Sequence, residues 1–203
     1  MQDQELEPSF IENTTQKANI IVNDKSNLNP KSERWRFSPI REFFDLEFTI
    51  ETIPVPDVEK IQSYRIDNAF LVVILNGKLN THISDPIPTE FKIENLKDFN
   101  LNFPEKLSDI LYKISNSKEN YFSAQNTIQF SDGVIIQANS NTVNKKPIQL
   151  LNIQTEPKIY PRVLIHGKAN SQFTIIEQYI NLIETDSVSN SVVEISLENG
   201  ANL

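Results

Sequence analysis

The side chains that could do chemistry are few and scattered. Asp132, Arg162 and Asp186 are the acidic and basic residues that could line one face of a solenoid lyase or hydrolase. Such an enzyme needs a positioned acid and base and a cation that steadies developing negative charge. Each of the three has a plainer local reading. Asp132 precedes Gly133 and reads as a turn residue, because glycine takes φ > 0 without steric cost. Arg162 opens an apolar run and reads as a solvated strand-edge charge, and Asp186 falls in a polar loop. His82 and His166 have no second ligand at metal-binding spacing. Glu177 and Glu194 lie inside β-rich runs, where alternation puts them on an outer face as candidates for contact with a partner. There is no cysteine, which removes disulfides, thiolate metal sites and a thiol nucleophile together. No phosphate-cradling Gly-x-x-x-x-Gly-Lys-Ser/Thr loop occurs, and the whole chain has only 4 glycines. No catalytic, cofactor-binding or metal-ligating residue is assigned.

The stretch from Tyr121 to Leu151 separates two kinds of sequence. Before it the pattern is irregular. After Gly133 come five β-rich runs: Val134–Ile136, Ile148–Ile153, Val163–Ile165, Phe173–Ile176 and Val192–Ile195. Val163-Leu-Ile-His-Gly-Lys-Ala-Asn-Ser-Gln-Phe173 aligns with Val193-Glu-Ile-Ser-Leu-Glu-Asn-Gly-Ala-Asn-Leu203, and Val134 leads Val163 by nearly the same step. A strand-turn-strand unit recurring at about 30 residues predicts a solenoid, each coil burying its apolar side chains against the next. A β-sandwich of short hairpins is the alternative architecture.

Upstream, a short helix is expected around Pro8–Ala18, a loop at Asn27–Pro30, and an extended segment over residues 46–66 with Pro54 and Pro56. Phe70–Leu75 reads as a strand closed by the Asn76-Gly77 turn, with a second strand near Lys78–Ile83. Residues 86–103 read as loop, and Pro104 opens a helix carrying Leu107, Ile110, Leu111 and Ile114. Phe122, Asn126 and Phe130 share one face of a shorter helix ending near Ser131. Trp35, the only tryptophan, is expected to anchor the N-terminal arm among Phe37, Ile40, Phe43 and Phe44; the alternative is an exposed hot spot for a partner.

Composition bounds the rest. The chain has 203 residues, 38% hydrophobic and 23% charged, enough for one domain or two small ones. A net charge of −8 argues against nucleic acid as a partner. No apolar run approaches the ~20 residues of a membrane helix. Met1-Gln-Asp-Gln-Glu-Leu-Glu-Pro8 has neither a basic nor an apolar leader region, so a cytoplasmic setting is expected.

Several of these segments, in this order, resemble the SufD family. They are Glu33-Arg-Trp-Arg-Phe37, Val73-Ile-Leu-Asn-Gly77, Phe122-Ser-Ala-Gln-Asn-Thr127, Phe130-Ser-Asp-Gly-Val-Ile-Ile136, Lys146-Pro-Ile148, Pro161-Arg-Val-Leu-Ile165 and Asn199-Gly-Ala-Asn-Leu203. The resemblance spans about residues 30–203 and covers the N-terminal half of such a protein. It implies a scaffold subunit of the SUF iron–sulfur cluster assembly complex, acting with a SufB-like paralogue and a SufC-like ATPase in the cytoplasm or a plastid stroma. It implies a non-enzyme that binds no cofactor alone, the cluster being handled by the complex. The implied fold is mainly β: a small mixed α/β N-terminal domain, residues 1–131, then the first coils of a right-handed parallel β-helix, residues 132–203. His166 stands at the wrong place in the motif order to be the histidine that the family implicates in cluster assembly. The alternatives are a stand-alone β-solenoid binding module and a solenoid carbohydrate-active enzyme. The final coil is expected to expose Ile195, Leu197 and Leu203, and so to self-associate or fray.

Overall fold

A computed structural model describes residues 10–24, 26, 33–38, 40, 53–115 and 120–203. The expected loop at Asn27–Pro30, Phe43, Phe44 and the first part of the 46–66 segment lie outside the described residues. The fold is mixed α/β, with strands in three sheets. Helix α1 (Phe10–Asn23) is longer than the sequence suggests, and it buries Ala18 as it packs on a later helix, Tyr121–Gln129. A single 3₁₀ turn, Glu33–Trp35, follows. Helix α2 (Val58–Gln62) is capped by Asp57, whose side chain accepts from the Lys60 N–H.

Strand β1 (Phe70–Leu75) turns through Asn76 and Gly77, both at positive φ, 48° and 86°. Two left-handed residues make the turn whose twist suits a tight hairpin. The returning strand β2 is only Lys78–Leu79, shorter than expected. The span 86–103 is not loop: it holds β3 (Phe91–Asn95) and α3 (Leu96–Asn102). Pro104 then opens α4 (Pro104–Ile110), where its missing N–H costs nothing. Helix α5 (Tyr121–Gln129) starts at Asn120, whose Oδ1 accepts from the N–H groups of Phe122 and Ser123.

From Gly133 onward the chain is strand after strand: β4 (Val134–Ala138), β5 (Ile148–Gln154), β6 (Lys158–Ile159), β7 (Arg162–Gly167), β8 (Ile175–Asn181), β9 (Val188–Ser189) and β10 (Val192–Leu197). One sheet has the order β2-β1-β5-β8, a second β10-β7-β4-β3, and β6 pairs with β9. Pairs among β4 to β10 are parallel, which rules out consecutive hairpins. Val134 pairs with Val163 and Val163 with Val193, so the ladder follows the repeat alignment residue for residue. Strands on both sides of Gly133 share sheets: β1 runs parallel to β5, and β3 antiparallel to β4.

Alternation sorts the side chains. Val72, Ile74, Ile136, Ile148, Leu150, Val163 and Ile165 fill a core between the two large sheets. The opposite faces are covered too: Ile135 and Leu164 lie under α3 and α4, and Leu71, Val73, Leu151 and Ile153 lie under Ile61 of α2. Strands buried on both faces lose the polar alternation of a one-sided sheet. Gly133 does not have positive φ; among the described glycines only Gly77 and Gly200 do. Its value is size, because a Cβ there would lie 2.6 Å from the Arg162 carbonyl oxygen and 2.5 Å from Leu96 Cδ1. Among the described residues no helix is long and apolar enough to cross a membrane.

Candidate functional site

Among the described residues, the most concentrated polar chemistry lies under α5. Arg162, at the start of β7, is wholly buried, and Glu194 of β10 is 2% exposed. Arg162 Nη2 donates to Glu194 Oε1. Its Nη1 donates to Asn126 Oδ1 at 3.1 Å and Thr127 Oγ1 at 3.3 Å, both on α5. The guanidinium also stacks 4.7 Å from the Tyr112 ring centroid. The Glu194 carboxylate accepts three backbone N–H groups at 3.1 Å, from Tyr112 to Oε1 and from Ile114 and Ser115 to Oε2. Those contacts hold Tyr112 in the left-handed region, φ 63°, which a bulky residue enters only under such constraint. Asn126 Nδ2 donates to the Pro161 and Asn190 carbonyls, and Asn190 Nδ2 to the Phe122 carbonyl and Gln125 Oε1.

Both charges were expected at the surface, and both are corrected. Arg162 is no solvated edge charge, because α5 and the 112–115 turn close over it. Glu194 does sit on the face away from the main core, but that face is covered, so it meets the chain's own backbone and not a partner. The pair ties α5 and the turn after α4 to two successive strands of one sheet. Both carboxylate oxygens and both terminal guanidinium nitrogens bond within the protein, while Arg162 Nε, equally buried, has no hydrogen-bond partner. Burial, the largest effect, and the nearby Glu194 charge push the Tyr112 hydroxyl up to about 12, against the opposing pull of Arg162.

The remaining candidates do not assemble. No hydrogen bond or ion pair among the described residues joins Asp132, Arg162 and Asp186 to one another. Asp132 lies in the link between α5 and β4, where no turn forms; its Oδ1 accepts from Gly133 N at 2.8 Å and Lys97 N at 3.2 Å. The second bond caps α3, whose own cap residue Asn95 is occupied with the Leu79 N–H. Asp186 is an exposed loop residue between β8 and β9. His82 is exposed. His166 Nε2 lies 3.2 Å from Glu198 Oε1. No group of three or more metal-ligating side chains forms among the described residues. Glu177 is exposed, on β8, the edge strand of its sheet. It pairs with Leu150, which faces the main core, so it stands on the core side of the sheet rather than the outer one, yet it stays open to solvent beyond the last paired strand.

Trp35 is half-buried, its ring 5.5 Å from Phe122 of α5 and edge-on to it. The arm therefore does anchor on an aromatic, but not on Phe37, which is 90% exposed under Arg36. The residues that sequence reasoning passed over are Tyr112, Thr127 and Asn190. Only Asn126 carried a signal, an amide on the same helical face as Phe122 and Phe130.

The family model for the SufBD protein N-terminal region matches residues 4–150. No curated protein matches the chain significantly.

Proposed function

Because the chain belongs to the SufB/SufD family, carrying its N-terminal region over residues 4–150, we propose that it is a non-catalytic scaffold subunit in SUF iron–sulfur cluster assembly. The family match is the observation that carries this reading. The finer assignment is SufD-like, with a SufB-like paralogue and a SufC-like ATPase as partners in the cytoplasm or a plastid stroma. The segments that resemble SufD, from Glu33-Arg-Trp-Arg-Phe37 to Asn199-Gly-Ala-Asn-Leu203, support the SufD side of the family. The parallel ladders β4–β7–β10, β5–β8 and β6–β9 support the reading that residues 132–203 form coils of a right-handed parallel β-helix. In this role the chain's work is to present surfaces and hold a partner's geometry. The Arg162–Glu194 centre suits that work by locking the helical part to the strands.

The test is assembly. The purified chain is mixed with the SufB-like and SufC-like proteins of the same genome and passed over a sizing column with light-scattering detection. A stoichiometric complex is expected; elution apart from both partners refutes the reading. The chain alone is proposed neither to hydrolyse ATP nor to keep a cluster. After anaerobic reconstitution, a stable stoichiometric cluster measured by iron and sulfide would overturn that part.

A further inference from the structure

We propose that the Arg36–Phe37 tip of the N-terminal arm is a docking knob for a second copy of this chain, and that it seats on the apolar, acidic face beside β8 and β10. The arm is built to hold that tip out. The Arg36 N–H donates to the Glu33 carbonyl at 3.3 Å and the Ser38 N–H to the Trp35 carbonyl at 3.1 Å, which closes two overlapping turns around it. Trp35 on one side packs on Phe122, and Ile40 on the other is buried. Phe37 between them is 90% exposed, and the Arg36 guanidinium lies 5.3 Å from its ring centroid. An aromatic ring held in water beside an arginine has the composition of a binding hot spot.

The chain itself carries the complementary surface. No Lys or Arg follows Lys168, while Glu177, Glu184, Asp186 and Glu198 all lie exposed beyond it. In the same stretch Ile195, Leu197 and Leu203 are partly exposed, and β8 and β10 are each paired on one side only. A face that is both apolar and acidic suits a phenylalanine and an arginine presented together. Phe37 does not reach that face in its own chain, since almost all of it is open to solvent. The arm and the face nevertheless lie toward the same end of the molecule. Asn190, between β9 and β10, donates to the Phe122 carbonyl at 2.9 Å, and Phe122 is the residue on which Trp35 packs. Two copies related by a two-fold axis therefore exchange knobs, each Phe37 on the other's last strands, and the assembly closes at a dimer. Charge favours this contact over face against face, which would bring the carboxylates of two chains of net charge −8 together.

The experiment is complementation between two variants of the full chain, read by light scattering over a range of concentrations. Arg36→Glu spoils the knob and Ile195→Lys spoils the face. Each alone should weaken self-association about tenfold or more. An equal mixture of the two should recover part of it, because one intact knob then meets one intact face. Phe37→Ser should act as Arg36→Glu does, and raised salt should weaken the unaltered dimer. A melting temperature close to that of the unaltered chain shows that each variant folds; should Ile195→Lys not fold, Leu203→Lys takes its place. A monomer at every concentration, self-association that neither Arg36→Glu nor Phe37→Ser changes, or a mixture no more associated than its components overturns the proposal. Growth beyond a dimer overturns the two-fold exchange.

Discussion

Glu194→Gln is the sharpest perturbation of the buried pair. The substitution keeps the side chain's shape and removes its charge. It also creates a conflict that no rotation resolves. One carboxylate oxygen receives Arg162 and the Tyr112 N–H, and the other receives the Ile114 and Ser115 N–H groups. Whichever way the amide is turned, its NH₂ faces two donors. Arg162, wholly buried, is left as an uncompensated cation. Breaking one partner of a buried pair costs about 3–5 kcal/mol, against a total stability of about 5–15 kcal/mol for a folded domain. Urea unfolding followed by Trp35 fluorescence measures the loss. Adding Arg162→Met to Glu194→Gln should cost less than the two single changes summed, because the orphaned charge goes with it. A Glu194→Gln variant within about 1 kcal/mol of the unaltered chain, or an additive double variant, refutes the account of this centre.

Tyr112, with its hydroxyl held near 12 and free tyrosine near 10, keeps its proton in the folded chain after the unfolded chain has lost it. Its contribution is complete below pH 10 and is lost as the pH rises to 12, by about 2–3 kcal/mol; Tyr112→Phe should flatten that part of the stability profile, and an unchanged profile contradicts the burial. Gly133→Ala drives a Cβ to 2.6 Å from the Arg162 carbonyl and should cost about 1–3 kcal/mol, seen as a lowered Tm; an unchanged Tm means that the close approach is not maintained. Ile195, Leu197 and Leu203, 40–45% exposed, lie beside the unpaired edges of β8 and β10, so the 203-residue chain should self-associate with concentration. Light scattering reads this, Ile195→Lys should reduce it, and a monomer at every concentration counts against it.

The repeat was legible because it is written in strand residues. Val134, Val163 and Val193 recur at steps of 29 and 30 residues and sit at one height in the ladder. Asn76-Gly77 was legible because few dipeptides take two positive φ angles. The strand β3 and helix α3 were hidden by prolines at 86 and 88 and by a cap supplied from Asp132, far along the chain. The polar centre misled for a physical reason. Charge on a strand predicts exposure only when nothing covers that face, and α5 covers Arg162 through contacts that no local pattern announces. Gly133 was read for its freedom of φ when the need was for absence of a side chain.

The parallel pairing of β1 with β5 sets a timetable for synthesis. Asn76, just past β1, bonds to Thr155, 79 residues later. At about 5–20 residues per second, the ribosome takes roughly 4–16 s to deliver that partner. Until then Phe-Leu-Val-Val-Ile-Leu, residues 70–75, has only the two-residue β2 beside it. It is apolar, uncharged and free of proline and glycine, the profile of a segment that pairs with its own kind. Nascent chains crowded on one message are therefore exposed to each other through this strand before the fold can claim it, and slowing translation between residues 76 and 148 lengthens that exposure.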